Sequence, residues 1–187
     1  RGSKADLWDG GHRIPFIVKW PGKVKPGSES DQLICLTDLF ATMSELVGAE
    51  LPKDSAEDSV SLLPALSGAK IVSTRNGVIH HSISGHFAYR QGPWKLLLAR
   101  ASGGWSSPKE NQAKKGYPPA QLYDMEADVG ERKNLYLEKP EVAKKFLSLL
   151  KEDIKRGRST KGSASKNDVG KIVLWKSCIK QPWKDLL

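Results

Sequence analysis

The sequence predicts an α/β segment followed by a small α+β subdomain, and three observations carry that prediction. Residues 14–20 (IPFIVKW) are apolar on both faces apart from Lys19, as in a strand covered on both sides within an α/β sheet. From Asn76 the pattern changes to short alternating runs divided by the turn signals Ser84-Gly85 and Gly92-Pro93. Near the end, Pro140 stands where a helix N1 proline belongs and Gly157 where the helix should stop. The subdomain is therefore expected to be a roughly four-stranded antiparallel sheet covered by one C-terminal helix.

The elements follow in order. The strand over 14–20 tolerates Pro15 near its start and ends at Pro21-Gly22. A helix capped by Ser30 or Asp31 and closed by Gly48 places Leu36, Leu39, Phe40, Met43, Leu46 and Val47 on one face. Cys35 beside that stripe reads as a small buried hydrophobe. Residues 50–70 are turn-rich, with a short helical turn at 62–66. Strands are expected at 77–82, 86–91, 94–99 and 121–124. The last helix buries Val142, Ala143, Phe146, Leu147, Leu150 and Ile154. The expected divisions are 1–70, 71–156 and a basic extension over 157–187. One two-sided strand and one helix do not make a domain, so the first segment calls for neighbours outside this chain.

The chain has 187 residues and a formal net charge of +9. Taken alone, that charge suggests an anionic partner, nucleic acid by default. Its distribution argues otherwise. Residues 156–187 hold eight Lys or Arg against Asp168 and Asp185, which leaves them +6 of the total. Such a Gly-, Ser- and Lys-rich tail reads as a solvated extension, although Trp175 and Trp183 keep a phosphate-binding arm in view. No apolar run is long enough for a membrane helix, and two cysteines make no disulfide framework. The opening Arg1-Gly2-Ser3-Lys4 has neither Met nor signal peptide, as in a processed or truncated chain.

The most specific motif is residues 4–22, K-A-D-L-W-D-G-G-H-R-I-P-F-I-V-K-W-P-G. It resembles a segment of the formylglycine-dependent (type I) sulfatases, arylsulfatase-like: Lys, an aromatic, an acid, Gly-Gly-x-Arg-x-Pro, then a strand ending Trp-Pro-Gly. Asp9 stands where that family more often has Glu. The resemblance continues through Thr37-Asp38-Leu39, through Tyr89-Arg90 with Trp94-Lys95-Leu96, and through Leu122-Tyr123-Asp124 with Asp128, Gly130, Glu131 and Asn134-Leu135. Val129 replaces the usual Pro. The order is right over residues 1–156.

The resemblance implies an alkaline-phosphatase-like α/β fold, of which this chain is the C-terminal part. It also implies sulfate-monoester hydrolysis, on an aryl or a carbohydrate substrate, and a periplasmic or secreted setting. Calcium and a formylglycine made from Cys or Ser are implied for the full-length enzyme. Neither has its motif here: the Cys35 and Cys178 contexts do not fit Cys/Ser-x-Pro/Ala-x-Arg, and no Asp-rich constellation offers metal ligands. The implied partners are a sulfated small molecule or polysaccharide and the missing N-terminal part, with no nucleic acid and no membrane span. The fragment alone should be inert.

Cleaving a sulfate ester builds negative charge on the leaving oxygen, so the site needs cations aimed at the sulfate and a proton donor. By resemblance, Lys4 is the sulfate-contacting lysine, a compact point charge with rotatable donors. Gly10 and Gly11 let the backbone turn tightly. His12 is a candidate substrate contact, and Arg13 is expected to brace the loop by pairing with Asp9. His80 and His81 are neighbours in a strand and point to opposite faces, so one of them can meet a substrate. Asn76, Arg75 and Trp105 are further candidates, while Arg90 and Trp94 read as structural. Two alternatives stand beside the sulfatase reading: a phosphonate or phosphodiester hydrolase of the same superfamily, and a basic module that binds polyanions.

Overall fold

The computed structural model describes residues 1–72 and 74–176; Cys178 and Trp183 lie outside them. The chain forms two compact units that interleave in sequence. Among the described residues, one comprises Arg1–Ile14, Ile79–Lys151 and 169–176; the other comprises Pro15–Val78 and Glu152–Asp168.

The first unit is built on a four-stranded sheet of strands β1 (Val78–His81), β2 (Phe87–Gln91), β3 (Trp94–Leu97) and β4 (Gln121–Asp124), in the order β1-β2-β3-β4. Both β2/β3 and β3/β4 are antiparallel, with Tyr89 opposite Leu96 and Lys95 opposite Tyr123. The four predicted strands are thus present, β4 with the expected limits. Leu7, Trp8, Ala88, Leu97, Ala99, Tyr123 and Met125 form one buried cluster, so the chain's first residues belong to the core of the sheet domain. The long helix, Pro140–Arg156, starts and stops at the predicted residues, and Gly157 takes a left-handed φ of 65°. Ala143, Phe146, Leu147 and Leu150 are buried, and Phe146 meets Tyr89 of β2 edge-on at 5.5 Å.

In the second unit, α1 runs over Asp38–Leu46 and α2 over Leu63–Leu66; numbering in chain order, the long helix is α3. Asp38 organises this unit. Its carboxylate accepts the backbone N–H groups of Cys35 (2.8 Å) and Val60 (3.0 Å) and forms a two-pronged pair with the Arg75 guanidinium. Thr42 accepts the N–H of Leu62 at 2.9 Å.

Four expectations need correction. Residues 14–20 form no strand: Ile17 is 90 % exposed, and an apolar segment without a paired neighbour has nothing to satisfy its backbone. The first helix starts at Asp38 rather than after Ser30 or Asp31. Ser30 spends its hydroxyl on Gln32, whose side-chain amide reaches the Ala69 carbonyl and the Ile71 N–H, holding this stretch out of the helix. The stripe expected as core is exposed at Leu36, Phe40, Met43, Leu46 and Val47, while α1 buries Asp38, Ala41 and Thr42. Finally, the tail is not solvated throughout. Arg158, Ser159 and Thr160 are buried; Arg158 donates to the Lys53 carbonyl, and the N–H groups of Ser159 and Thr160 donate to Asp58 and to the Glu57 carbonyl.

Candidate functional site

The loop over residues 1–14 is densely hydrogen-bonded. Lys4 is exposed at its turn, followed by Ala5 in a left-handed conformation (φ 81°). Asp6 is fully buried. It accepts the N–H groups of Ser3 (2.8 Å), Trp105 (2.8 Å) and Ser106 (2.9 Å). Burial pushes its carboxyl up, but the bonds from Ser106, Ser3 and Trp105 outweigh that and hold it below its ordinary value. The loop closes in a single 3-10 turn, Asp9–Gly11. Both glycines are needed for close approach: a Cβ at Gly10 would strike the carbonyls of Arg1 and Gly2, and one at Gly11 the carbonyl of Asp6.

Beneath that turn lies a buried charge network. The Asp9 N–H donates to Glu131 at 2.6 Å, and Lys95 Nζ donates to the other Glu131 oxygen at 2.9 Å. Lys95 and Glu131 are fully buried. Asp9 lies 3.5 Å from Lys95 Nζ, from Arg90 and from Arg13. Asp9 therefore does meet Arg13, but that arginine is 63 % exposed and its contribution is screened. The weight falls on Lys95 and Glu131, which the residue-by-residue reading left without a role. The available signal was strand alternation: Lys95 shares a face with Leu97 and so had to be buried and paired. Glu131 itself sits at φ 52°, an unusual conformation for a side chain of its size.

His12 and His80 come together, with ring centroids 4.0 Å apart. Each ring has a hydrogen bond to backbone, at Asp6 for His12 and at Leu7 for His80, while both Nε2 atoms are buried without a partner. Burial and then the nearby Lys95 charge push His12 down and His80 well down, so both rings are neutral at pH 7. His81 points the other way. It is exposed and meets the edge of Phe87 at 4.2 Å. Burial and Lys176 lower its titration as well.

Arg75 belongs to the second unit, where it holds Asp38, and Asn76 is exposed in the same unit. Cys35 is half-buried there, with its thiol pushed up by burial and bonded to Thr37 and Arg75.

Among the described residues no cluster of His, Cys, Asp and Glu has a metal-binding arrangement. The buried carboxylates Asp6, Asp9 and Glu131 spend their oxygens on N–H and cationic donors, so they do not form a calcium cage. No helix among the described residues is long and apolar enough to cross a membrane.

Residues 3–100 match the family described as N-sulphoglucosamine sulphohydrolase, C-terminal. The chain belongs to the sulfatases. Its relatives include N-acetylgalactosamine-6-O-sulfatase of Bacteroides thetaiotaomicron, 36 % identical over 153 residues, covering 80 % of this chain and 29 % of that protein. Steryl-sulfatase of Mus musculus is 28 % identical over 204 residues, covering all of this chain and 31 % of the relative. A solved protein from glycosaminoglycan metabolism in B. thetaiotaomicron is 32 % identical with a TM-score of 0.67, over 83 % of this chain and 32 % of its own. A protein solved with its substrate D-glucosamine-2-N,6-O-disulfate shares the fold at 23 % identity and TM-score 0.60, over 80 % and 29 %. The sulfatase chain thus spans about a third of the length of the proteins it matches. Neither the phosphonate hydrolase nor the polyanion module is favoured by these relatives.

Proposed function

We propose that this chain is the C-terminal part of a hydrolase of sulfate monoesters and supplies one wall of its pocket. Lys4 contacts the sulfate and offsets the charge that develops as the S–O bond breaks. His81, the exposed strand histidine, faces the substrate, while His80 packs against His12 of the Lys4 loop and helps keep it in place. Asp9, Gly10, Gly11 and Arg13 shape that loop. The observation that supports this reading most is the seating of the Lys4 loop on the buried Asp9–Lys95–Glu131 network, within a chain of the sulfatase family. Formylglycine and calcium, which supply the nucleophile and further sulfate contacts in this family, would come from the preceding part of the protein. Substrates are sulfated carbohydrates or aryl sulfates; the N-acetylgalactosamine-6-O-sulfatase relative favours the carbohydrate.

Two assays test this. The 187-residue chain alone should release no nitrophenol from a chromogenic aryl sulfate, and calcium-dependent turnover by it would overturn the proposal. In the complete enzyme, Lys4→Ala should lower kcat/KM by about 10²-fold or more. Undiminished activity would remove Lys4 from the site.

A further inference from the structure

Residues 99–110 form a surface loop that is bonded like an interior. Glu110 accepts the N–H groups of Arg100 (3.0 Å), Ala101 (2.8 Å) and Gly103 (3.1 Å). Asp6 takes the next two free N–H groups, those of Trp105 and Ser106. Ser102 is joined to Leu7 by a backbone bond of 2.8 Å. Gly104 lies against the Ala5 carbonyl so closely that no Cβ would fit. The hydroxyls of Ser3 and Ser106 lie 3.1 Å apart. Glu110 thus fixes the backbone ahead of Trp105 within the loop, and the fully buried Asp6 ties Trp105 and Ser106 to Ser3, the neighbour of Lys4. The indole itself is 57 % exposed. A side chain of that size gains most of its free energy from burial, and binding residues are characteristically presented on loops held by a rigid scaffold.

We propose that Trp105 is a stacking platform for the pyranose ring of a sulfated sugar whose sulfate is held at Lys4. The proposal rests on the sulfatase reading above and extends it from the sulfate to the ring that carries it. A sugar ring has an apolar C–H face and a polar rim. The loop offers the complement: a flat apolar plate next to the paired hydroxyls of Ser3 and Ser106, with Lys4 following Ser3 in the sequence. Because the plate is already fixed, stacking on it costs little ordering of the loop.

The complete enzyme tests this, as wild type, Trp105→Ala and Trp105→Tyr, with N-acetylgalactosamine 6-sulfate and nitrophenyl sulfate as probes and Tm as a control. The expected result is a rise in KM for the sugar sulfate of about tenfold in Trp105→Ala. Its kcat and Tm should hold, and Trp105→Tyr should recover most of the loss. An unchanged KM overturns the platform. So does a KM that rises together with a fall in Tm and without rescue by tyrosine, because that marks a packing residue. If the wild type cleaves nitrophenyl sulfate but not the sugar sulfate, the platform falls and the sulfatase reading stands. If it cleaves neither, both fall.

Discussion

The two units stabilise themselves in opposite ways. In the first, the centre of a polar loop is buried and its buried carboxylates have partners: Asp6 with three N–H groups, Asp9 and Glu131 with Lys95. In the second, the polar residues Asp38 and Arg75 lie inside while an apolar stripe on α1 faces outward. The first unit carries within this chain what its loop needs. The second presents Phe40, Met43 and Val47 as surface, an exposed apolar face of the kind that marks a contact site. The Lys4 loop is therefore organised by partners within its own unit.

The largest test of that contrast is Lys95→Met. Removing one member of a buried pair leaves Glu131 charged and uncompensated, at a cost of about 3–5 kcal/mol by urea denaturation. The double variant Lys95→Met/Glu131→Gln should recover part of this, and a double variant as unstable as the single one would refute the pairing. Next comes Phe40→Ala. In this chain alone it should change stability by about 0.5 kcal/mol or less, as at an exposed site, whereas in the complete enzyme it should cost roughly 3 kcal/mol. Equal effects in both would mean that the α1 face has no cover.

The smallest effect is a pH dependence in the second unit. Asp153 is 2 % exposed and neither of its oxygens has a hydrogen-bond donor. Burial raises its carboxyl to about 6, against the opposing charge of Arg156 at 3.9 Å and helped by Glu152 and Asp58. An unfolded aspartate releases its proton near 4. The stabilising contribution is therefore complete below about pH 4 and is lost as pH rises through about 6, on the order of 2 kcal/mol. Asp153→Asn should flatten that slope between pH 4 and 8, and a slope equal to wild type would remove Asp153 as its source.

Periodicity and turn residues were enough to read the sheet and α3, because those elements satisfy themselves inside the chain. Pro140 and Gly157 marked the helix ends correctly because caps are local. Residues 14–20 and the Leu36–Val47 stripe depart from expectation for one shared reason: an apolar pattern shows that a face is fit to be covered, not that a neighbour covers it. The loop was legible as a motif, but not its support. Glu131 lies 122 residues from Asp9, and no spacing rule links them. Strand alternation puts His80 and His81 on opposite faces, but which of them meets His12 depends on the tertiary placement of β1.

The hook made by Arg158, Ser159 and Thr160 bears on how this protein can be trimmed. The basic extension invites a stop codon after Arg156, since most of the excess charge lies beyond it. Such a cut would also remove the bonds to Lys53, Glu57 and Asp58 that close the second unit. A protease should meet the same obstacle, finding its first easy site beyond Thr160 rather than at the helix end. Charge in this tail is better edited by replacing the exposed Lys161, Lys166 and Lys171 one at a time, which leaves the hook fastened.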